Sequence, residues 1–289
     1  PLTRPERDDG APLVVSPGVQ SHHIGWIAGT DSQRTAGLVN AIRSNHRTTA
    51  GPNVVIDQGT AGLASAYLRA HHAAFGTFED VLYFDCTTVL PGFEFFDVRW
   101  YRALGGSRAM AVEYVADWYH DILEQVVGRD DLTQVERAPQ MIRDLLRALF
   151  DEEHGHDQFT HRDLCDLAHS VHDERRAPSV TDTDVAGRFE DLVTGPSWRF
   201  DEVMTAVTTR LEQVEAVPSL ARLLNHRSDG DDPRFAFDPL LDEDVVVVFA
   251  LGGLDPTDRD AVLLVILTQL YGALRRRGHV TDDVPLTNL

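Results

Sequence analysis

Four short apolar segments along the chain have the length and composition of buried β-strands. They are bounded by polar or glycine-rich residues and cover roughly residues 22–28, 53–56, 80–84 and 244–251. Two segments with helical spacing, about 34–47 and 63–75, separate the first three of them. This alternation predicts right-handed β-α-β units and a parallel sheet. Because the apolar runs are unbroken, we expect the strands to be buried on both faces.

The middle of the chain has a different pattern, with helical spacing through almost all of residues 108–228. Within and after it, further helices are predicted at 182–193, at 200–215 and from Pro256 to about Arg277. The positions expected to face a core are Val112, Val115, Tyr119, Ile122, Val126, Met141, Leu145, Ala148, Leu149, Leu164, Leu167, Ala168 and Val171. The fold class we predict is therefore α/β, a parallel sheet flanked by helices and interrupted by an all-α insertion.

This pattern divides the chain into four parts. Residues 1–20, rich in Pro, Gly and charge, are predicted to form an N-terminal arm or linker. Residues 21–105 form the first part of the α/β core, 106–235 the all-α insertion domain, and 236–289 the second part of the core. The last residues look like the approach to another strand, so we expect the sheet to be truncated there.

The 289 residues carry a formal net charge of -20, from 46 acidic and 26 basic residues, and every basic residue is Arg. A hydrophobic content of 43% excludes a disordered chain. We expect a globular protein with a solvated acidic surface from a high-salt cytoplasm, where salt screens its self-repulsion. An ordinary acidic protein is the alternative.

Two cysteines, Cys86 and Cys165, are too few for a disulfide framework and indicate a reducing compartment. The chain begins at Pro1, as a processed chain or fragment would, and shows no signal peptide. Its longest apolar runs, such as 245–251 and 261–267, are too short to span a bilayer. We predict a cytoplasmic protein without a transmembrane segment, able to dock at the cytoplasmic face of a membrane complex.

An apolar strand, a polar turn and a helix follow one another over residues 24–40, which is the layout of a phosphate-binding loop, G-x-x-x-x-G-K-S/T. In this chain Ala28 takes the first Gly position, Gln33 the second and Arg34 the Lys position. Only Thr35 stands as the pattern requires. The match predicts a phosphate site of altered chemistry, with a plain strand–turn–helix connection as the alternative.

Several groups of this loop suit phosphate and Mg²⁺, whereas others oppose them. The suitable residues are Gly29, Thr30, Ser32 and Thr35. Asp31 places a carboxylate where phosphate oxygens would lie, and Gln33 puts a side chain where backbone must approach. Arg34 keeps the positive charge, but its planar guanidinium does not replace a Lys ammonium group.

Two aspartates follow apolar strands. Asp57 comes after Val54–Ile56, and Asp85 comes after Val81–Phe84. Either carboxylate could hold Mg²⁺ through water. The alternative for each is an Asp that turns the chain at the end of its strand.

The order of these features resembles the FtsK/HerA-like DNA-pumping P-loop ATPases, in particular the conjugation and type IV secretion (coupling protein) family in its haloarchaeal form. The resemblance covers roughly Ser21 to Leu289 and includes the helical insertion with Phe159–Leu164. In that family the first loop is G-G-T-G-S-G-K-T, where this chain has residues 28–35. The second-strand motif there is D-P-K-G-D, where this chain has residues 57–61.

The resemblance implies a RecA-like core with bound ATP and Mg²⁺, and a ring, usually a hexamer, that moves DNA through its pore at a membrane conjugation or secretion complex. The nucleotide-binding positions it implies are Gly29, Thr30, Asp31, Ser32, Gln33, Arg34, Thr35 and Asp57, with Thr35 and Asp57 as the Mg²⁺ ligands. The family's Lys is missing, and its catalytic acid would follow Leu289. We therefore expect weakened ATP binding with reduced or absent hydrolysis. The alternative is a non-catalytic scaffolding or partner-binding paralogue without nucleotide.

Other polar clusters support weaker hypotheses. Zinc could bind a His/Cys group on one helix flank, comprising His161, Cys165, His169 and His172, with His154 and His156 just before it. The pairs His22-His23 and His71-His72 are expected at the surface or at strand edges, with a ligand role as the weaker alternative for either pair. Arg275–Arg277 ends a helix, where it would suit the helix dipole or contact DNA phosphates.

Overall fold

Three parallel strands form the sheet of this protein in the order β1-β3-β2. They are β1 (Asn53–Asp57), β2 (Val81–Asp85) and β3 (Val246–Ala250). The structure, a computed structural model, describes residues 30–46, 51–59, 62–103, 106–227 and 235–278. The prediction of an α/β chain with a parallel sheet and flanking helices is confirmed.

The central strand β3 joins two strands that lie far from it in sequence. It pairs in parallel with β1, from Asn53↔Val246 to Asp57↔Ala250, and with β2 over its whole length. Residues 246–249 of β3 are fully buried. Alternate residues pack into opposite cores, with Val247 and Phe249 on one face and Val246 and Val248 on the other. The predicted burial on both faces thus holds for β3.

Helices surround the sheet on both faces. Within the described residues they are α1 (Asp31–Asn45), α2 (Leu63–Phe75), α3 (Arg99–Ala103), α4 (Arg108–Val127), α5 (Arg129–Thr133), α6 (Ala138–Leu149), α7 (His161–Glu174), α8 (Thr183–Thr194), α9 (Ser197–Glu215), α10 (Pro218–Leu224) and α11 (Pro256–Gly278). A 3₁₀ turn spans Asp238–Asp242. No helix among these described residues is both long and apolar enough to cross a membrane.

Helices α1 and α2 cover one face of the sheet. Val39 of α1 and Ala64 and Tyr67 of α2 pack in one cluster with Val55 and Val248. Helix α1 packs against α2, and Val39 with the partly buried Ile42 joins it to this apolar cluster.

The helical stretch and α11 cover the opposite face. Val54 and Phe249 of the sheet, Val262 of α11 and Tyr119 of α4 belong to one continuous core. Every position that the helical spacing assigned to a core is buried or packed against this core, as predicted. The helices between β2 and β3 therefore share a core with the sheet.

Two details differ from the sequence predictions. Leu82 and Tyr83 of β2 are exposed: β1 and β2 are both edge strands, but α2 packs against β1 and β3 and leaves β2 less covered. Helix α1 begins at Asp31 instead of Arg34, since the Thr30 hydroxyl accepts a hydrogen bond from the Gln33 N–H and caps it. The predicted arm (1–20) and first strand (22–28) lie outside the described residues, as do Gly29 and the C-terminal residues 279–289.

Asp144 is a fully buried carboxylate that joins α6 to α8. Arg188 binds it through two hydrogen bonds of 2.7 Å, and Arg147 and Gln140 donate to Oδ1 at 3.1 and 3.0 Å. We predict that Asp144→Asn lowers the free energy of unfolding by about 1–3 kcal/mol, because the buried side chain loses charge-assisted hydrogen bonds from Arg188 and Arg147. Urea unfolding measures this. Asp173→Asn, at an exposed site on α7, is the control, and an equally small effect of both changes would contradict the prediction.

Candidate functional site

The carboxyl edge of the sheet is where the sequence predicts a nucleotide site. Because the three strands are parallel and in register, Asp57, Asp85 and Ala250 lie at one level on this edge. Ligands of open α/β sheets bind at this edge. The loops that follow the strands therefore decide what the edge can hold.

Those loops approach each other so closely that glycine is required. A Cβ atom at Gly59 would lie 2.3 Å from the Cα of Gly252, and Gly59 has φ +88°. A Cβ atom at Gly253 would lie 2.3 Å from Cγ2 of Thr87. The contact between Gly252 and Gly59 depends on strand order, so sequence reasoning missed it. The three loops thus close on one another at the middle of the edge.

Asp57 fixes the loop after β1. Its Oδ1 accepts a hydrogen bond from the Gly59 N–H and its Oδ2 from the Ala64 N–H, both at 2.8 Å. The second bond holds the first turn of α2, where a carboxylate also suits the helix dipole. These contacts are those expected of an Asp that turns the chain at the end of its strand. Each oxygen keeps a further lone pair, so a role of Asp57 on Mg²⁺ stays a prediction.

Asp85 turns the chain after β2 in a similar way. Its Oδ1 accepts hydrogen bonds from the Thr87 N–H at 3.1 Å and the Thr87 hydroxyl at 2.6 Å. Burial, and then the Asp85 charge, raise the pKa of the neighbouring Tyr83. Both strand-end carboxylates therefore accept hydrogen bonds from the residues that follow their own strands.

Helix α1 points its N-terminal end toward this same edge. His46, directly after α1, lies beside Asp80 and Asp244, which precede β2 and β3 at the opposite, amino edge. A helix of 15 residues is about 22 Å long, and a strand of five residues about 17 Å. Val39, in the middle of α1, packs in one cluster with Val55 and Val248, so we expect the N-terminal end of α1 to extend toward the carboxyl edge.

The first turn of α1 is occupied by contacts within itself. The Thr30 hydroxyl caps the helix and lies 3.1 Å from the Ser32 hydroxyl. The Arg34 guanidinium binds the Asp31 carboxylate in an exposed ion pair. Gln33 is exposed, whereas Thr35 is buried on the sheet side of the helix. Phosphate binding here would require Arg34 to leave Asp31 or to bridge both anions.

The predicted zinc group on α7 does not converge. The ring of His161 is buried and held by Tyr119 Oη at 2.5 Å and Glu215 Oε1 at 2.8 Å. Burial, and then the Glu215 charge, raise the pKa of the Cys165 thiol to about 12, so the thiolate that zinc prefers is disfavoured. His169 lies beside a Glu212 carboxylate, and His172 lies beside a Phe200 ring. In the described chain this set therefore does not form a metal-binding group.

Of the remaining predicted residues, some lie within the described part of the chain and others outside it. Arg276 and Arg277 bind Asp238 and Asp242 of the 3₁₀ turn, and Arg275 stacks on Tyr114. Neither the helix-dipole nor the DNA-phosphate interpretation of Arg275–Arg277 predicted these pairs, because the partners lie far away in the sequence. The pair His22-His23 lies outside the described residues.

The expectation that His71 and His72 form a surface pair is wrong for His71. His72 is exposed, but His71 is fully buried. It lies in a group with His46 and Asp80 at the amino edge of the sheet. The spacing Ala64, Tyr67, His71 on α2 was the available signal, because it places His71 on the buried stripe of the helix.

Comparison of the chain with protein-family profiles, with curated proteins and with solved structures found no match.

The glycine contact at the carboxyl edge gives a direct test of the loop geometry. We predict that Gly59→Ala and Gly252→Ala each lower the free energy of unfolding by roughly 1–3 kcal/mol, because backbone must move or adopt strain. Gly187→Ala, inside α8 with no atom within 4 Å of the added Cβ, should be neutral or stabilising by up to about 1 kcal/mol. Urea unfolding compares the three, and wild-type stability in Gly59→Ala would contradict the contact.

Proposed function

We propose that this chain is a subunit of a DNA-translocating P-loop ATPase used in conjugative DNA transfer or type IV secretion, with weakened ATP and Mg²⁺ binding. One observation carries the proposal. The C-terminal end of helix α1 lies at the amino edge of a parallel sheet, beside Asp80 and Asp244, so the helix extends from there toward the carboxyl edge, where Asp57 lies. A helix N-terminus at this edge supplies N–H groups and a dipole for phosphate.

The position of the helical stretch supports the family assignment. Helices α4 to α10 lie between β2 and β3, although β2 and β3 are neighbours in the sheet. A sheet interrupted by a long all-α insertion is the arrangement that the resemblance implies. The RecA-like fold, an oligomer such as a hexameric ring, and DNA in its pore belong to the proposal. With a net charge of -20, DNA contact should be local.

A second candidate function has its own observation. The Thr30 cap and the Asp31–Arg34 ion pair occupy the first turn of α1 with internal contacts. A bound phosphate would compete with Asp31 for Arg34, and the two anions would repel each other. This favours a non-catalytic subunit that keeps the fold for scaffolding or partner binding.

Calorimetric titration with Mg-ATP in molar KCl, which screens the acidic surface, tests the first proposal. We predict weak binding by the wild-type chain. Thr35→Val, which keeps the side-chain shape but removes the hydroxyl, should weaken it about 10–100-fold. Thr35→Ser keeps the hydroxyl and should bind as the wild type does. Asn40→Ala, exposed farther along α1, controls for non-specific effects on the helix.

The rebuilt loop separates the two candidate functions. The variant Asp31→Gly, Gln33→Gly, Arg34→Lys removes the internal ion pair and restores the family's residues. Tighter Mg-ATP binding by this variant supports a motor-type site weakened by these substitutions. If neither the wild type nor this variant binds ATP at millimolar concentration, the nucleotide proposal fails and the scaffolding role is favoured.

A further inference from the structure

The amino edge of the sheet brings together a buried group of histidines and a carboxylate. His46 follows α1, His71 lies on α2 and Asp80 precedes β2. One possible ligand atom from each lies within 4.8 Å of the others. Among the described residues this is the one such group of metal-binding side chains. It lies at the opposite edge from the predicted nucleotide site.

We propose that His46, His71 and Asp80 bind one divalent transition-metal ion, with Zn²⁺ as the best match to the donors. His46 Nε2 lies 2.8 Å from Asp80 Oδ2, and His71 Nε2 lies 3.2 Å from Asp80 Oδ1. Ligand atoms around tetrahedral zinc are about 3.4 Å apart at ordinary Zn–N and Zn–O lengths. Small side-chain movements therefore suffice to admit the ion between the three groups.

The outer nitrogens of both rings have partners that suit metal ligation. The Nδ1 atom of His71 lies 3.0 Å from the Tyr67 hydroxyl. The Tyr67 hydroxyl oxygen can accept a hydrogen bond from His71 Nδ1–H. This tautomer leaves the Nε2 lone pair directed at the metal. Ligating histidines in proteins are held by such outer contacts.

His46 has a carboxylate at its outer nitrogen. Asp244 Oδ1 lies 3.2 Å from His46 Nδ1, within ion-pair distance but outside hydrogen-bond geometry. A buried Nδ1 without a good hydrogen bond is unfavourable. A metal on Nε2 fixes the proton on Nδ1 and strengthens its attraction to Asp244. The result is a carboxylate–histidine–metal arrangement.

The residues around the three side chains would enclose a bound ion and leave it open to solvent on one side only. Both imidazole rings are fully buried and pack against Phe75 at 5.1 and 4.8 Å. The Asp80 side chain is 19% exposed, so solvent can reach the group from that side. A water entering from that side would complete four ligands. The ion would tie α1 and α2 to the start of β2.

Titration of the full chain with Co²⁺ and Zn²⁺ after chelator treatment tests the proposal, in molar KCl with excess Mg²⁺ to occupy surface carboxylates. We expect one ion per chain, visible absorption typical of tetrahedral Co²⁺, displacement of Co²⁺ by Zn²⁺, and a melting temperature that rises with metal concentration. His46→Gln and Asp80→Asn should each weaken binding at least about 100-fold, since each removes a ligand. His72→Gln, the exposed neighbour on α2, should bind as the wild type does.

Asp244→Asn keeps the proposal testable if a ligand variant fails to fold, because Asp244 is one-third exposed. It should weaken binding about 10–100-fold, as loss of an outer-shell partner does. Absence of a tight one-to-one complex in the wild type would overturn the proposal, as would full binding in the folded His46→Gln or Asp80→Asn variant. Binding lost in His161→Gln but kept in these variants would also overturn it. The nucleotide variants at Thr35 should bind metal normally, so this test is independent of the ATP titration.

Discussion

Strand β3 is buried on both faces and bonded on both sides, and the rest of the fold depends on that double burial. Strands β1 and β2 each pair with β3, which follows the whole helical stretch in the chain. The sheet therefore forms only when the helical stretch returns the chain to it. The helices reach the same core through α11 and α4, so apolar burial joins both parts in one structure.

The parallel order of the strands gives the two edges of the sheet different chemistry. At the carboxyl edge, glycine loops pack closely and the carboxylates of Asp57 and Asp85 accept bonds from their own loops. At the amino edge, His46, His71 and Asp80 meet in a buried group. Helix α1 has its C-terminal end at the amino edge and extends from there toward the carboxyl edge. Chemistry proposed at either end would act on the same rigid element.

Helical periodicity predicted most of what depends on local sequence. The core positions of α4, α6 and α7 were correct because a helix buries every third or fourth residue regardless of its partners. The start of α1 was misplaced by three residues. The phosphate-loop interpretation assigned residues 31–33 to a turn, although Thr30 and Gln33 have the spacing of an N-terminal capping pair.

Features that depend on the order of the strands could not be predicted from local sequence patterns. The apolar residues of β2 look buried in sequence, yet β2 is at an edge of the described sheet and exposes Leu82 and Tyr83. The Gly59–Gly252 contact and the His46 group combine residues far apart in the chain. Their assembly follows from β3 entering between β1 and β2, which no local pattern specifies.

Hydrogen exchange, followed by mass spectrometry in molar KCl, tests most directly whether sheet and helices form one structure around β3. The account predicts that amides of β3 and of the buried face of α4 are the slowest to exchange and share one opening free energy, equal to that of global unfolding. Exchange of the β3 amides through a separate and much lower-energy opening, while α4 stays protected, would contradict it.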